Sequence, residues 1–159
     1  MNERLESLRT FIDPNTPKAP VARLIGLEVV DVEPGKAVMA LEASSRHWNP
    51  MGTLHGGILA DLADAAMGIA YTSTLEADES FTTLELKINF LRPVRQARLT
   101  ATARVVQRGR SVGLAECNVV DEAGRLVAHA TSTCMTLRGQ QAEGRQLGDW
   151  QAAEGAAAG

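Results

Sequence analysis

Residues 81–90 alternate between apolar and polar side chains, which is the period of a β-strand with one face against a core. Pro93 ends the predicted strand, because proline cannot donate to a sheet ladder. The mainly apolar face carries Thr82, Leu84, Leu86, Ile88 and Phe90, and the opposite face carries Phe81, Thr83, Glu85, Lys87 and Asn89.

Similar stretches predict five further strands. Short turns that contain Gly109 and Gly124 separate the later ones, and short turns predict antiparallel hairpins. The Pro34-Gly35 pair predicts another tight turn near the start of the sheet. The five predicted strands are 27–32, 37–41, 99–105, 112–120 and 126–137.

A long helix is predicted from Gly56 to about Leu75, and it is apolar on almost every side. Such a helix belongs in a core. Its many alanine and glycine residues would let a sheet or another helix approach closely. It nevertheless carries two carboxylates, Asp61 and Asp64, and a buried carboxylate without a task is costly.

These elements predict an α+β domain at residues 21–138, with one long helix on an antiparallel sheet of five or six strands. Because the helix is apolar all round, either the sheet curls around it or a second subunit covers it. Residues 1–20 are predicted to form a short amphipathic helix, at 3–12, and a proline-rich linker. Residues 139–159 are rich in Gly, Ala, Gln and charge, and we expect this tail to be disordered.

Composition narrows the class of protein. A chain of 159 residues with 45% hydrophobic residues favours one globular domain, and a net charge of −3 argues against general nucleic-acid binding. No apolar run reaches the ~20 residues of a membrane span, and residues 1–10 lack the apolar stretch of a secretory leader. We therefore expect a cytoplasmic protein that binds neither nucleic acid nor membrane. Cys117 and Cys134 are expected to be reduced, and they do not form a zinc site.

Two glycines at the start of the long helix mark a candidate site. Gly56 and Gly57 offer backbone amides at the positive end of the helix dipole, where no Cβ keeps a ligand oxygen away. One of these amides could polarise a carbonyl and hold the oxyanion of a tetrahedral intermediate. The alternative is that the glycines only turn the chain.

The helix spacing constrains any partnership between an acid and these amides. Asp64 lies eight residues beyond Gly56, which is roughly 12 Å along the helix axis. An aspartate side chain cannot span that distance, so if both act on one substrate the acid comes from another subunit. Two antiparallel helices about a two-fold axis would create two composite sites per dimer. Alternatively, Asp64 is a structural acid. Asp61 needs no catalytic role, because it lies in the early turns of the helix, where the helix dipole favours a negative charge.

Three further features allow more than one interpretation. His55 could act as a general base, or it could order the loop before the helix through hydrogen bonds. Asn49 could position a water or a carbonyl, or it could form a turn before Pro50. The arginines at strand ends could hold phosphates if they met at one rim, or they could be solvated. They are Arg92, Arg95, Arg98, Arg108 and Arg110.

A family resemblance joins several of these residues. The motif Asn49…Gly52-x-x-His55-Gly56-Gly57…Leu62-Ala63-Asp64-x-Ala66 resembles that of the hotdog-fold acyl-CoA thioesterases, specifically the phenylacetate-pathway (PaaI-like) branch. The run Asn89-Phe90-Leu91-Arg92-Pro93-Val94 resembles the strand that follows the helix in that family. The resemblance implies a curled antiparallel sheet wrapped around one central helix. It also implies homodimers with a continuous sheet, and a dimer of dimers.

The resemblance assigns a role to each motif residue. Asp64 matches the catalytic acid, which acts across the subunit interface as general base for water or as nucleophile. The Gly56 amide matches the group that polarises the thioester carbonyl. Asn49 matches the residue that orients the water or the carbonyl, and His55 matches the motif histidine. Candidates for substrate binding are Thr83, which aligns with a hydroxyl residue near the attacking water, Gly57 and Arg92.

The implied activity is hydrolysis of the thioester bond of an acyl-CoA to a free acid and coenzyme A. No metal or separate cofactor is expected, since coenzyme A is part of the substrate. The alternatives are a non-hydrolytic acyl-CoA binding or sensing protein and a hotdog acyl-thioester hydratase. Four apolar residues could line the acyl pocket or belong to the core: Met51, Leu54, Leu59 and Met67.

Overall fold

The computed structural model describes residues 3–158, so Met1, Asn2 and Gly159 of the predicted terminal segments lie outside the described residues. Within that range the chain forms four α-helices and six strands. The helices are α1 (Glu3–Thr10), α2 (Pro20–Ile25), α3 (Gly56–Thr72) and α4 (Asp149–Ala157). The strands are β1 (Leu27–Glu33), β2 (Lys36–Ala43), β3 (Ser80–Phe90), β4 (Ala97–Arg108), β5 (Val112–Val120) and β6 (Leu126–Leu137).

The six strands form one antiparallel sheet in the order β1-β2-β4-β5-β6-β3. Helix α3 packs most closely on the central strands β2, β4 and β5, but it also contacts the two edge strands, β1 and β3. One helix can touch both edges of a six-stranded sheet only if the sheet curls around it. The predicted α+β class and the six predicted strands are confirmed.

Small side chains bring α3 close to the sheet. Ala63, Ala66 and Ala70 are fully buried on the helix, and they pack in one core with the equally buried Ala101 and Ala115 of the sheet. With so little side-chain volume on either surface, helix and sheet can approach closely without leaving voids. Leucine and methionine side chains fill the remaining space of this core.

A β-bulge changes which face of β3 meets the helix. The pairing of β3 with β6 slips between Thr83 and Glu85, so Leu84 is the extra residue, and it is 55% exposed. A bulge shifts the alternation by one residue. Before the bulge, Phe81 packs against the ring of Tyr71 at 5.5 Å, and after it Leu86 packs against the main core. The strict alternation predicted for this strand was therefore wrong for Thr83, which faces α3.

The C-terminal end of α3 comes earlier than predicted, at Thr72. Hydroxyl groups of three successive residues donate to carbonyls of the last turn: Thr72 to Gly68, Ser73 to Ala70 and Thr74 to Tyr71, each at 2.7 Å. These bonds add side-chain donors to carbonyl oxygens of the last turn, where the number of backbone donors falls.

Two terminal segments differ from the sequence prediction. Helix α2 begins at Pro20 in the predicted linker, and Gly26 ends it in the left-handed region at φ 93°. The tail expected to be disordered forms a 3₁₀ turn (Gly139–Ala142) and α4, and it folds back on the domain. The glycines that suggested disorder instead make left-handed turns, as at Gly144 and Gly148.

A charged cluster fixes the loop between α3 and β3. The buried carboxylate of Glu79 accepts hydrogen bonds from Arg108 (3.0 Å) and Arg138, and Arg4 donates to the Glu79 carbonyl at 2.8 Å. Burial by itself would raise the pKa of Glu79, but the Glu76 amide and the two guanidinium groups bring it below its ordinary value. A carboxyl whose pKa is lowered on folding stabilises the fold above its unfolded-state pKa, and the benefit disappears as the pH falls through the folded-state value.

We expect Glu79→Gln to lower the free energy of unfolding by about 1–3 kcal/mol near neutral pH, because it leaves two guanidinium groups without their carboxylate. Urea denaturation measures the change. The difference from the wild type should shrink in acid, as Glu79 itself becomes protonated. The matched control is Glu42→Gln, which breaks the exposed pair with Arg98 and should cost less than about 1 kcal/mol. Equal losses in both variants would contradict the assigned role.

Candidate functional site

The N-terminus of α3 is organised by His55. This residue is the N-cap, and its Nδ1 accepts the Gly57 amide at 2.9 Å while its carbonyl accepts the Ile58 amide at 3.0 Å. A ring nitrogen that accepts a hydrogen bond carries no proton, so the proton of the neutral ring is on Nε2. The structure thus supports the loop-ordering interpretation of His55 and leaves Nδ1 unavailable as a base. The Gly57 amide is also used within the chain.

The neighbouring amide, that of Gly56, is left for a ligand. No acceptor for this N–H is found within residues 3–158. The ring of Phe90 lies directly over the glycine, because a Cβ built there would meet Cζ of Phe90 at 2.9 Å. Glycine is thus the residue that lets the end of β3 close over the start of α3. The free amide, the helix dipole and this tight packing together make Gly56 the candidate oxyanion donor.

Asn49 shapes the loop that leads to the helix. Its Oδ1 accepts the amides of Met51 (3.0 Å) and Thr53 (3.1 Å), and its Nδ2 donates to the Thr53 hydroxyl at 2.9 Å. These contacts all lie within the loop, so they agree with the turn-forming interpretation of Asn49. One hydrogen of the amide nitrogen is left for a further acceptor.

Asp64 lies on the exposed side of α3, next to β3. The Thr83 hydroxyl donates to its Oδ1 at 3.3 Å. Loss of surrounding water raises the pKa of Asp64, the hydrogen bond from Thr83 opposes this rise, and the nearby charge of Asp61 adds to it. An aspartate with a raised pKa is a better proton acceptor than an ordinary one and is typical of functional sites.

The structure does not bring Asp64 and Gly56 together within one chain. Both lie on the same continuous helix, eight residues apart, so the roughly 12 Å separation expected from the sequence applies. Asp61 is exposed on the helix one turn before Asp64, and it does not connect Asp64 with Gly56.

A largely apolar cavity of about 400 Å³ adjoins Asp64 and Thr83. Its walls come from α1, α2, β1, β2, α3, the start of β3 and the folded tail. The apolar residues proposed from the sequence are elsewhere: Met51 is 74% exposed, while Leu54, Leu59 and Met67 are buried in the core. The linker and tail residues of these walls could not be predicted from the sequence, because neither segment has a periodic apolar pattern.

The arginines at strand ends do not meet at one rim. Arg95 donates to the Gly52 carbonyl at 3.0 Å, Arg98 pairs with Glu28 and Glu42, and Arg108 pairs with Glu79. Arg92 is exposed just beyond the end of β3.

Other kinds of site find little support in the described chain. Residues 3–158 contain no group of three or more His, Cys, Asp or Glu side chains that could hold a metal ion. The same residues include no helix long and apolar enough to cross a membrane. Cys117 and Cys134 are free and buried, and burial raises the pKa of the Cys117 thiol to about 12, so it is not a thiolate at neutral pH.

Comparison with known proteins agrees with this geometry. A thioesterase superfamily model matches residues 51–128, which run from the loop before α3 into β6. A 1,4-dihydroxy-2-naphthoyl-CoA hydrolase from Listeria monocytogenes is 37% identical over 109 residues, which is 69% of this chain and 89% of the relative. The medium/long-chain acyl-CoA thioesterase YigI of Escherichia coli is 30% identical over 132 residues, covering 73% and 84%.

Solved structures extend the comparison to the fold. A variant of the phenylacetic acid degradation protein PaaI from Thermus thermophilus superposes with a TM-score of 0.69 at 34% identity. The match covers 74% of this chain and 98% of that protein. The predicted curled sheet around a central helix and the predicted PaaI-like relationship are confirmed. The chain therefore belongs to the thioesterase superfamily and has its hotdog fold.

Proposed function

We propose that this protein hydrolyses the thioester bond of an acyl-CoA to a free acid and coenzyme A. The observation that carries the proposal is Asp64, a carboxylate with a raised pKa that receives a hydrogen bond from Thr83 on the wall of an apolar cavity. The two curated relatives described above act on CoA thioesters by name, one aromatic and one aliphatic.

The active unit is a homodimer in this proposal. Strand β3 is an edge of the sheet, and it carries exposed Leu84 and Phe90, with exposed Leu91 directly after it. A long edge strand with exposed apolar side chains favours pairing with another chain. Pairing two copies along β3 would bring each Asp64 towards the partner's Gly56, which the spacing along α3 requires. Two such dimers would form the tetramer implied by the resemblance.

The chemistry then follows from the local geometry. The thioester carbonyl accepts a hydrogen bond from the Gly56 amide, and the positive end of α3 stabilises the oxyanion that develops. Asp64 of the other subunit either removes a proton from the attacking water or attacks the carbonyl carbon directly. As general base, Asp64 passes the proton taken from water to the departing sulfur, so coenzyme A leaves as its thiol and Asp64 is ionised again. As nucleophile, Asp64 forms a mixed anhydride with the acyl group, and a water then hydrolyses this anhydride to the free acid and the Asp64 carboxylate while its protons go to the coenzyme A thiolate and to solvent.

The remaining residues of the motif support these steps. His55 occupies the Gly57 amide and so leaves Gly56 as the donor for the carbonyl. Asn49 holds the loop and has one amide hydrogen left to orient the water or the carbonyl. Thr83 positions the Asp64 carboxylate. Arg92 is exposed, and in this proposal it binds phosphates of coenzyme A.

Asp64→Asn should lower kcat for thiol release by about 10²–10⁴-fold, because the amide can neither accept the proton nor attack the carbonyl. A thiol-release assay over a panel of aromatic and aliphatic acyl-CoAs measures the effect. Asp61→Asn is the matched control and should remain within about tenfold of the wild type. Near-normal hydrolysis by Asp64→Asn would contradict the catalytic role proposed for Asp64. Acyl-CoA binding by the wild type without any thiol release would instead indicate a sensing protein.

Gly56→Pro should lower kcat by about 10²–10³-fold, because it removes the one amide that contacts the developing oxyanion. The backbone accepts proline here, since Gly56 is the first helical residue and His55 has extended angles of φ −64° and ψ 133°. Gly56→Ala is the control: it brings the same Cβ against Phe90 but keeps the N–H. Equal losses in the two variants would mean that packing, not the amide, is responsible.

Mixing the Gly56→Pro and Asp64→Asn proteins tests whether the two groups come from different subunits. After denaturation and refolding together, half of the dimers are mixed and each has one intact composite site, so about a quarter of wild-type activity should return. No recovery, with mixed dimers present by mass spectrometry, would place both groups in one chain.

The pH dependence follows from the pKa of Asp64. The reaction needs the ionised carboxylate, so kcat/KM falls as the pH falls through that pKa, and the acidic limb should lie above the ordinary aspartate range. Thr83→Val removes a hydrogen bond to the carboxylate and should move the limb to higher pH. Asp61→Asn removes a neighbouring negative charge and should move it to lower pH. Shifts in the same direction would contradict this account.

A further inference from the structure

The cavity beside Asp64 extends along α3. The residues of α3 and of the turn after it that line the cavity run from Asp64 through Gly68, Ile69 and Thr72 to Leu75. The eight-residue step from Asp64 to Thr72 corresponds to roughly 12 Å of helix, so the cavity extends along the helix away from the reacting end. Thr83 lies at the near end, where it contacts Asp64.

The far end is closed by the folded tail. The Ser80 hydroxyl donates to the Arg145 carbonyl at 2.6 Å, and Arg4 donates both to the Glu76 carbonyl (2.9 Å) and to Oε1 of Gln146 (3.2 Å). Residues 76–79 belong to the loop after α3 and Ser80 begins β3, at the end of the helix opposite to Asp64. Arg145 and Gln146 are therefore held at the distal end, and Leu147 follows them directly on the cavity wall. The later tail residue Trp150 lines the cavity farther along, next to α2. We call residues 145–150 the terminal strap.

The strap is held at its outer end by α2. The guanidinium of Arg23 lies 5.6 Å from the centre of the Trp150 ring, and its Nη2 pairs with Glu154 at 2.5 Å. Both contacts are partly exposed, and Leu147 is 42% exposed although it lines the cavity. The thioesterase family model matches residues 51–128, so the strap lies outside the matched residues.

We propose that the terminal strap is a gauge that limits the length of the acyl group. The inference rests on the proposed thioesterase function, in which the acyl chain enters the cavity past Asp64. At about 1.2 Å per bond of an extended chain, roughly 12 Å accommodates about ten carbons. At about 30 Å³ per heavy atom, a cavity of about 400 Å³ gives a similar number. The substrate class is an apolar acyl group of medium length, with Leu147 against its end.

The test changes the wall and measures the length profile. Leu147→Trp fills the distal end, and Leu147→Ala or truncation after Gly144 opens it. Thiol release is measured for straight-chain acyl-CoAs from butanoyl to octadecanoyl. We expect Leu147→Trp to lower kcat/KM for the longest accepted chains by about tenfold or more, since a methylene that no longer fits costs about that much. Truncation should extend activity to longer chains, and butanoyl-CoA should be little affected by either change.

Leu114→Trp is the matched control, because Leu114 is 39% exposed on β5 and does not line the cavity. Its length profile should equal that of the wild type. An unchanged profile in Leu147→Trp and in a truncated chain that melts cooperatively would overturn the proposal. If the truncated chain does not fold, the two Leu147 variants decide alone.

A second readout separates this proposal from the proposed function. Calorimetric dissociation constants for the same acyl-CoAs, measured in the Asp64→Asn background, do not require turnover. A length limit in binding that moves with Leu147 supports the gauge, even if the wild type releases no thiol and the hydrolytic function is thereby wrong. Hydrolysis by the wild type with a length limit that ignores Leu147, in both turnover and binding, overturns the gauge alone.

Discussion

Enclosure of α3 is the constraint on which the rest of the structure depends. The helix has so few polar positions that water must be kept from most of its surface, and a six-stranded sheet does this only by curling until both edges touch the helix. The edge strands β1 and β3 do not pair with each other, so one side of the helix stays open. Asp64 is placed on that side, and the cavity, α1 and the folded tail occupy the same gap. Incomplete closure of the sheet thus creates the space in which chemistry is possible.

At the N-terminus of α3, two adjacent backbone amides differ in their hydrogen bonding. The imidazole of His55 satisfies the Gly57 amide, whereas the Gly56 amide has no acceptor among the described residues. The Phe90 ring packs against Gly56 next to this amide. A hydrogen-bond donor that is fixed, partly desolvated and unpaired stabilises negative charge more strongly than a hydrated one.

Much of this arrangement follows from the sequence because it depends on local rules. The strands at 112–120 and 126–137 have the predicted bounds, since alternation and a glycine turn define both. The start of α3 at Gly56 is also as predicted, and the separation of Gly56 from Asp64 needs only the rise of a helix.

Features that depend on distant contacts could not be predicted in this way. The tail resembles a disordered segment in composition, and only its contacts with Arg4, Arg23 and Ser80 explain why it folds back. The cavity is formed largely by these terminal segments. Of the apolar residues near the motif, Leu54, Leu59 and Met67 belong to the core, which was one of the two interpretations. Alternation along β3 assigned Thr83 to the outer face, because a bulge leaves no clear signal in the pattern of residue types.

The bulge at Leu84 has a consequence for how related chains can diverge. Thr83 and Glu85 pair with Cys134 and Thr133, which are consecutive in β6, so Leu84 is an insertion that leaves the faces of its neighbours unchanged. Losing Leu84 would therefore restore a regular ladder in which the Thr83 hydroxyl still faces Asp64. In such a strand an alignment gap of one residue is compatible with the same site.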